Sequence, residues 1–517
     1  MYKRQILYAM INHTLRIEPS GLTLTVEHGI CLADILKSFK VEFPCGGKGV
    51  CGNCKVKILS GSVRKDILHE SILNKKNLSS EWCLACYTKV EDDLVIEIPD
   101  GNMSVQSDMS DVDIKMSESG TAVAVDLGST TVVSQLVDLT SGKVLASCSG
   151  INPQSSYGAD IISRISYAME SGENLSLLSN LIRSSVGIQI KELLAQCPDA
   201  KVKKVRIVGN TVMHNLFSGF DVTGLSRAPY QSEHNELCRF TPDSLGWNFL
   251  EDCIIEFMPN IGHFVGSDIL GGIISCGMME SEKYSLLVDL GTNGEIALGN
   301  KNGFSFTSTA AGPAFEGINI SCGMRASSGA ISEVGYEDGK FKVSVIDGIS
   351  PKGLCGSGLV EAVHCLLKNG MIDFSGAVTE AGKEKFELSE GVYLTVADIR
   401  EFQLAKAAIA TGIQLLLNHS SLTYNDISAV YVTGGLGNYL NTEKIRQLGI
   451  IPDISEDKYI RMSNAALSGC KILLYEDSFR KLQSILDKSR YCPLETDASF
   501  MDAVSYTHLT LPTTERV

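Results

Sequence analysis

Two segments of this 517-residue chain repeat one pattern, and that repetition limits its fold more than any other feature. Ala122-Val123-Ala124-Val125-Asp126-Leu127-Gly128-Ser129-Thr130-Thr131 runs from an apolar strand through an Asp-Leu-Gly turn into a second strand. Leu286-Leu287-Val288-Asp289-Leu290-Gly291-Thr292-Asn293-Gly294-Glu295 does the same. The interval, about 160 residues, is far too long for a solenoid repeat and implies two similar lobes. Beyond residue 120, apolar strands ending in Gly/Asp/Ser/Thr loops alternate with helical stretches, which is an α/β pattern.

The turns also suggest chemistry. A glycine after a strand-ending Asp lets the backbone approach a phosphate, and Ser/Thr hydroxyls with successive N–H groups can donate to its oxygens. The Asp itself suits hydrated Mg2+. This makes Asp126 and Asp289 the candidate catalytic pair, with Gly128, Ser129, Thr130, Gly291, Thr292 and Asn293 as phosphate-side residues. A third segment, Tyr431-Val432-Thr433-Gly434-Gly435-Leu436-Gly437-Asn438, is an apolar strand entering a Gly-rich turn that suits an adenosine ring, adding Gly434, Gly435 and Gly437. Plain strand-turn glycines are the competing explanation, but three segments agree in order. No G-x-x-x-x-G-K-S/T occurs, so a P-loop is not supported. The order of segments resembles the actin, sugar-kinase and heat-shock-chaperone superfamily. That resemblance implies two ribonuclease-H-like lobes forming an ATPase cleft that takes ATP with Mg2+.

Upstream lies a different signature. Cys45-Gly46-Gly47-Lys48-Gly49-Val50-Cys51-Gly52-Asn53-Cys54 spaces three thiols as C-x5-C-x2-C, and Cys83 and Cys86 follow later. A [2Fe–2S] cluster needs four thiolates, and the glycines let the backbone wrap closely and donate to the cluster sulfurs. Zinc is the alternative, with Cys51/Cys54 and Cys83/Cys86 as C-x2-C knuckles. Alternation at 14–18 and 22–26 around Ser20-Gly21 predicts a hairpin, Cys31 to Phe39 a short helix, and 55–59 and 93–99 two strands. This ββ-α-β frame resembles a β-grasp-like ferredoxin with adrenodoxin-like spacing. The resemblance implies a metal-ligand set of Cys45, Cys51, Cys54 and Cys86, with Cys83 an extra thiol. The other eleven cysteines form no C-x2-C pair and read as small buried hydrophobes.

Composition narrows the class. Lys+Arg 45 against Asp+Glu 60 gives a net charge of −15, which argues against nucleic-acid or anionic-membrane partners. At roughly 100–200 residues per domain the length predicts about three domains. The longest near-apolar stretch, Ile261 to Met279, is interrupted by His263 and Asp268 and reads as a buried helix, not a membrane span. No secretory signal opens the chain, so sixteen cysteines suggest a cytoplasmic protein with reduced thiols. Residues 101–119 are rich in Ser, Asp and Met and read as a linker. Residues 1–5 and 504–517 resemble translated sequencing adapter and are set aside. The expected domains are then 6–100 for the 2Fe–2S ferredoxin, 120–282 for the first lobe and 283–503 for the second.

A ferredoxin module, a linker and a two-lobed ATPase together resemble the reductive activators of corrinoid proteins. The specific pieces are Phe43-Pro44-Cys45-Gly46-Gly47, Asn152-Pro153-Gln154, Gly209-Asn210-Thr211, Ala311 to Gly317, Leu354-Cys355-Gly356-Ser357-Gly358, Leu404 to Ile409 and Gly434-Gly435-Leu436-Gly437. The resemblance implies an ATP-hydrolysing activase that passes an electron from a 2Fe–2S cluster to reduce Co(II) to Co(I) in the corrinoid protein of a methyltransferase system. It implies an external low-potential electron donor and leaves a homodimer open. The alternatives are an activase of another low-potential enzyme and a ferredoxin-fused small-molecule kinase.

Overall fold

The computed structural model describes residues 12–18, 21–36, 41, 54–75, 78–98, 110–112, 118–158, 160–291, 293–434, 440–494, 497 and 511. The chain divides into two compact units, Met1–Asn102 with Gln154–Tyr167, and Met103–Pro153 with Ala168–Val517.

The first unit holds a five-stranded mixed sheet, ordered Leu22–Glu27, Asn12–Glu18, Leu94–Glu97, Lys55–Ser60, Trp82–Leu84. The predicted hairpin is there, with Thr14 opposite Thr25 and Leu15 opposite Leu24. Its alternation works as expected: Leu15 and Ile17 are buried, while Thr14 and Arg16 face outward. Leu94–Glu97 runs parallel to the first strand, which makes the frame β-grasp-like. The helix Leu32–Leu36 buries Leu32, Ala33 and Leu36; residues 37–39 of the predicted helix lie outside the described residues. The sequence reading missed the helix Ile67–Lys75 and the strand Trp82–Leu84. Three residues are too few to display alternation. The helix is fixed by a tertiary bond, in which buried His69 accepts the Leu84 N–H at Nε2, 2.9 Å away.

The second unit contains two six-stranded sheets of one plan. In the first lobe Thr121–Leu127, Thr131–Asp138 and Val144–Ile151 form an antiparallel meander. Val202–Gly209 and then Ile254–Phe257 add in parallel on the other side of Thr121–Leu127, and Cys238–Phe240 closes that edge. The second lobe repeats the plan with Tyr284–Leu290, Gly294–Asn300, Gly303–Thr309, Ile427–Thr433 and Tyr459–Arg461. It adds Ser489–Tyr491 beside Gly303–Thr309. This is the ribonuclease-H-like order in both lobes. The duplicated Asp-Leu-Gly segments end the first strand of each.

Two helices join the lobes. Ser267–Ser275 and Ala465–Leu473 cross with backbones nearly touching, since a Cβ on Gly469 would lie 1.9 Å from the Gly271 carbonyl oxygen. Ala465–Leu473 also packs on the strands of the first lobe, and Cys470 Sγ donates to the Arg206 carbonyl at 3.2 Å. Of the predicted linker, residues 110–112 and 118–119 are described, and they are anchored. Val112 N–H donates to Gly142 at 2.9 Å, Lys471 Nζ donates to the Ser110 carbonyl at 2.6 Å, and Glu118 pairs with Lys204 at 2.8 Å. Polar and main-chain anchors hold a segment whose composition offers little apolar surface. Among the described residues no helix is long and apolar enough to cross a membrane, and the stretch from Ile261 forms the largely buried helix Ser267–Ser275.

Candidate functional site

The first-lobe turn is braced from behind. Gly128 N–H donates to the Thr131 carbonyl at 2.9 Å, and a Cβ on Gly128 would sit 2.7 Å from that oxygen, so glycine is required there. Fully buried Asn152 donates its side-chain amide to the Gly128 carbonyl and its backbone N–H to the Thr130 carbonyl, both at 2.9 Å. With those carbonyls occupied, half-buried Ser129 and Thr130 stand at the face of the turn. In the second lobe Gly291 N–H donates to the Asn293 carbonyl at 3.2 Å. Gly434 has φ +105°, and a Cβ there would lie 2.5 Å from Asp289 Oδ1. The third glycine segment therefore arrives directly on the second acid. Thr292, Gly435 and Gly437 lie outside the described residues.

Four carboxylates gather around these turns. Asp126 Oδ2 accepts from Asn464 Nδ2 at 2.7 Å. Asn464 also caps Ala465–Leu473, taking the Leu467 N–H at 2.7 Å, so one side chain ties the first-lobe acid to the start of the joining helix. Asp289 stands directly opposite Glu295 in the antiparallel register, where the first lobe has Asp126 opposite Val133. Side chains so paired share a sheet face, and two like charges there repel. Asp268 opens the helix Ser267–Ser275 and is close enough to feel both Asp289 and Asp126. Burial raises Asp126 to about 6, against the lowering bond from Asn464. Burial and then Asp126 raise Asp289 to about 7. Burial and then chiefly Asp289 raise Asp268 to about 7. Glu295 is pushed well above the usual carboxylate range by burial, with Asp268 and Asp289 adding to it. The three aspartates keep partial solvent access while protein crowds them on their other sides.

Such a cluster suits a cation. Among the described residues no three His, Cys, Asp or Glu are placed to hold a metal unaided. Sequence reasoning missed Asp268, Glu295, Asn464 and Asn152 as site residues. Three of them carried a signal: Asp268 is a charge inside an apolar run, Glu295 ends the second Asp-Leu-Gly copy, and Asn152 opens the Asn152-Pro153-Gln154 segment, though its hydrogen-bonding role did not show there. Asn464 acts only through the fold.

In the first unit Cys54 Sγ and Cys86 Sγ lie 3.1 Å apart, Cys54 buried and Cys86 half-buried. The Ala85 N–H donates to the Cys54 carbonyl at 2.8 Å, which ties the residue before the strand Lys55–Ser60 to the turn after Trp82–Leu84, where these thiols sit. Cys83 points into the core, fully buried, and burial raises its thiol to about 11. A pair of converging thiols with one partly exposed fits metal–thiolate ligation. Cys45 and Cys51 lie outside the described residues.

Other segments singled out in the sequence have structural roles. His214, three residues beyond the Gly209-Asn210-Thr211 segment, is fully buried, packs edge-on against Phe257 at 4.9 Å and meets the Glu236 carbonyl at 3.2 Å. Gly358 lies in the helix Gly356–Lys368, where a Cβ would come within 2.1 Å of the Ile331 carbonyl oxygen. Glu316, near the end of the Ala311 to Gly317 segment, reaches across to Thr130.

Comparison with known proteins agrees with this architecture. Residues 15–91 match the 2Fe-2S iron-sulfur cluster binding domain, 121–281 the RACo middle region, and 283–516 the C-terminal domain of RACo, described as the ASKHA domain. The corrinoid activation enzyme RamQ of Eubacterium limosum is 32% identical over 419 residues, covering 74% of this chain and 68% of that protein. The [Co(II) methylated amine-specific corrinoid protein] reductase of Methanosarcina barkeri is 26% identical, covering 69% and 70% respectively. A solved reductive activator for a corrinoid, iron-sulfur protein superposes with a TM-score of 0.69 at 26% identity, covering 97% of this chain and 99% of that one. With a ferredoxin-type domain, a RACo middle region and an ASKHA domain in that order, the chain belongs to the family of corrinoid-activating enzymes.

Proposed function

We propose that this protein is an ATP-dependent reductive activator of a corrinoid protein, taking an electron from an external low-potential donor and delivering it to Co(II) to give Co(I). The observation that carries the proposal is the pairing of a thiol-lined ferredoxin site with a cleft of raised carboxylates in a chain 32% identical to a corrinoid activation enzyme. Cys45, Cys51, Cys54 and Cys86 hold the cluster in this reading. The 3.1 Å approach of Cys54 to Cys86 and the inward burial of Cys83 support Cys86 as the fourth ligand. When bound, the cluster supplies one-electron carriage, and Mg2+ supplies charge neutralisation at the phosphates.

The protein's own groups do the rest. Ser129, Thr130 and the N–H groups after Gly128 and Gly291 orient the phosphates, with Thr292 and Asn293. Asp126 and Asp289 would hold hydrated Mg2+ and position the attacking water by accepting hydrogen bonds, and Asn464 keeps Asp126 aimed. Gly434, Gly435 and Gly437 are assigned to the adenosine side of the nucleotide. ATP contributes through conformation: lobes that bind nucleotide in one arrangement, and the corrinoid protein in the same arrangement, couple the two events. That differential binding can alter cobalt ligation and ease an uphill transfer. The domains are assigned as 6–100, 120–282 and 283–503, joined by 101–119.

The test is anaerobic. Cluster-reconstituted protein, Ti(III) and a Co(II) corrinoid protein are mixed with and without Mg-ATP, and Co(I) absorbance is followed. ATP-dependent Co(I) formation that Asp126→Ala abolishes with the cluster intact supports the proposal. Steady ATP hydrolysis and a reducible cluster without Co(I), across several corrinoid proteins, refutes it.

A further inference from the structure

The first-lobe turn makes a side-chain bond across the cleft. The Thr130 hydroxyl donates to Glu316 Oε2 at 3.1 Å, with Oε1 at 3.4 Å, between residues 186 positions apart. Thr130 belongs to the Asp-Leu-Gly-Ser-Thr turn that Asn152 braces. Glu316 ends the 3-10 turn Pro313–Glu316, which is held just as firmly. Gly317 follows at φ +74°, where a Cβ would lie 2.4 Å from the Met324 carbonyl oxygen. Phe315 is buried and packs edge-on against Phe402 at 5.8 Å. Each partner is thus presented by a fixed turn of its own lobe, and the bond reports the relation of the lobes.

A threonine hydroxyl has one proton to donate. While Glu316 accepts it, a phosphate oxygen cannot. A carboxylate held beside that hydroxyl also repels an incoming polyphosphate. The two uses of Thr130 therefore exclude each other. We propose that Glu316 is a latch between the lobes: it holds the Thr130 hydroxyl in the nucleotide-free protein, and nucleotide phosphate takes that hydroxyl over and breaks this tie between the two turns. Glu316 is then a positioning residue acting through Thr130. The inference rests on the nucleotide-binding reading above and adds to it a defined contact by which phosphate at one lobe changes the other.

The experiment measures the dissociation constant of the full-length protein for Mg2+ with a β,γ-imido analogue of ATP. It compares wild type, Glu316→Ala, Glu316→Gln, Thr130→Val and the Glu316→Ala/Thr130→Val double variant. Glu316→Ala is expected to bind about tenfold more tightly, the exchange of one charge-assisted hydrogen bond. Glu316→Gln should gain less, because its amide oxygen still accepts the hydroxyl. In the Thr130→Val background the gain from Glu316→Ala should shrink to about threefold or less. Unchanged or weaker binding by Glu316→Ala overturns the latch, as does an equal gain in both backgrounds. Absence of nucleotide binding by wild type overturns the nucleotide reading and the latch together.

Discussion

Asp289→Asn should make the nucleotide-free protein more stable, and by an amount that grows with pH. Asp289 is raised from 3.8 to about 7 by burial and by Asp126, and it faces Glu295 across the strand pair. At pH 5 the folded protein keeps this proton while the unfolded chain, near the ordinary value, has mostly lost it. The folded state therefore holds the extra proton, and its advantage is lost as pH rises through about 7. From pH 5 to pH 8 the wild type should lose about 2.5 kcal/mol at this one group, at about 1.4 kcal/mol per pH unit over the roughly two units below the raised value. Solvent on the cleft side screens the charge and brings the figure to between about 1 and about 2.5 kcal/mol. Asparagine cannot titrate and loses none of it. Removing the charge also relieves Asp268 and Glu295, which shifts the comparison in the same direction. The assay is thermal unfolding with chelator present and nucleotide absent, at both pH values. The melting advantage of the variant should widen by roughly 1–3 °C from pH 5 to pH 8 for a cooperative unit of about 400 residues. A gap that is constant, or wider at pH 5, would refute the account of these carboxylates. Adding Mg2+ should raise the wild-type transition more at pH 8 than at pH 5, and the variant less at both.

Gly469→Ala should destabilise the two-lobed unit by about 2 kcal/mol or more despite better helix propensity, because its Cβ meets Gly271 backbone; Gly172→Ala, with nothing within 4 Å, should stabilise slightly, and urea midpoints will show whether the signs differ. Cys86→Ser should abolish the visible cluster spectrum after reconstitution, whereas Cys83→Ala should keep it with about 1 kcal/mol less stability; the reverse pattern would exchange their assignments. Asn464→Ala removes both the Asp126 bond and the Leu467 cap, so ATP turnover should fall tenfold or more, on the order of one charged hydrogen bond, and its pH profile should move to higher pH as Asp126 rises further. A turnover profile that stays in place would leave Asn464 as a helix cap alone.

The legible parts of this protein were those written in contiguous residues. Alternation of Leu15 and Ile17 with exposed neighbours sufficed for the hairpin, because strand periodicity is local. The duplicated Asp-Leu-Gly turns foretold two lobes of one plan, since each turn follows an apolar strand whose burial on both faces leaves few other folds. The strand Trp82–Leu84 escaped notice because three residues hold no period, and the helix Ile67–Lys75 depends on His69 reaching a distant N–H.

By itself the sequence determined the kinds of groups present and their local turns: glycine where no Cβ fits, and an acid at the end of each first strand. Only the tertiary structure decided which groups meet. It set Asp289 against Glu295 through strand register, Asn464 on Asp126 through the joining helix, and Glu316 on Thr130 across 186 positions. It also separated Cys86, facing Cys54, from Cys83, facing the core. The physical reason is range. Turn and strand preferences come from sterics within a few residues, whereas carboxylate repulsion and a latch across a cleft depend on distances that only packing creates.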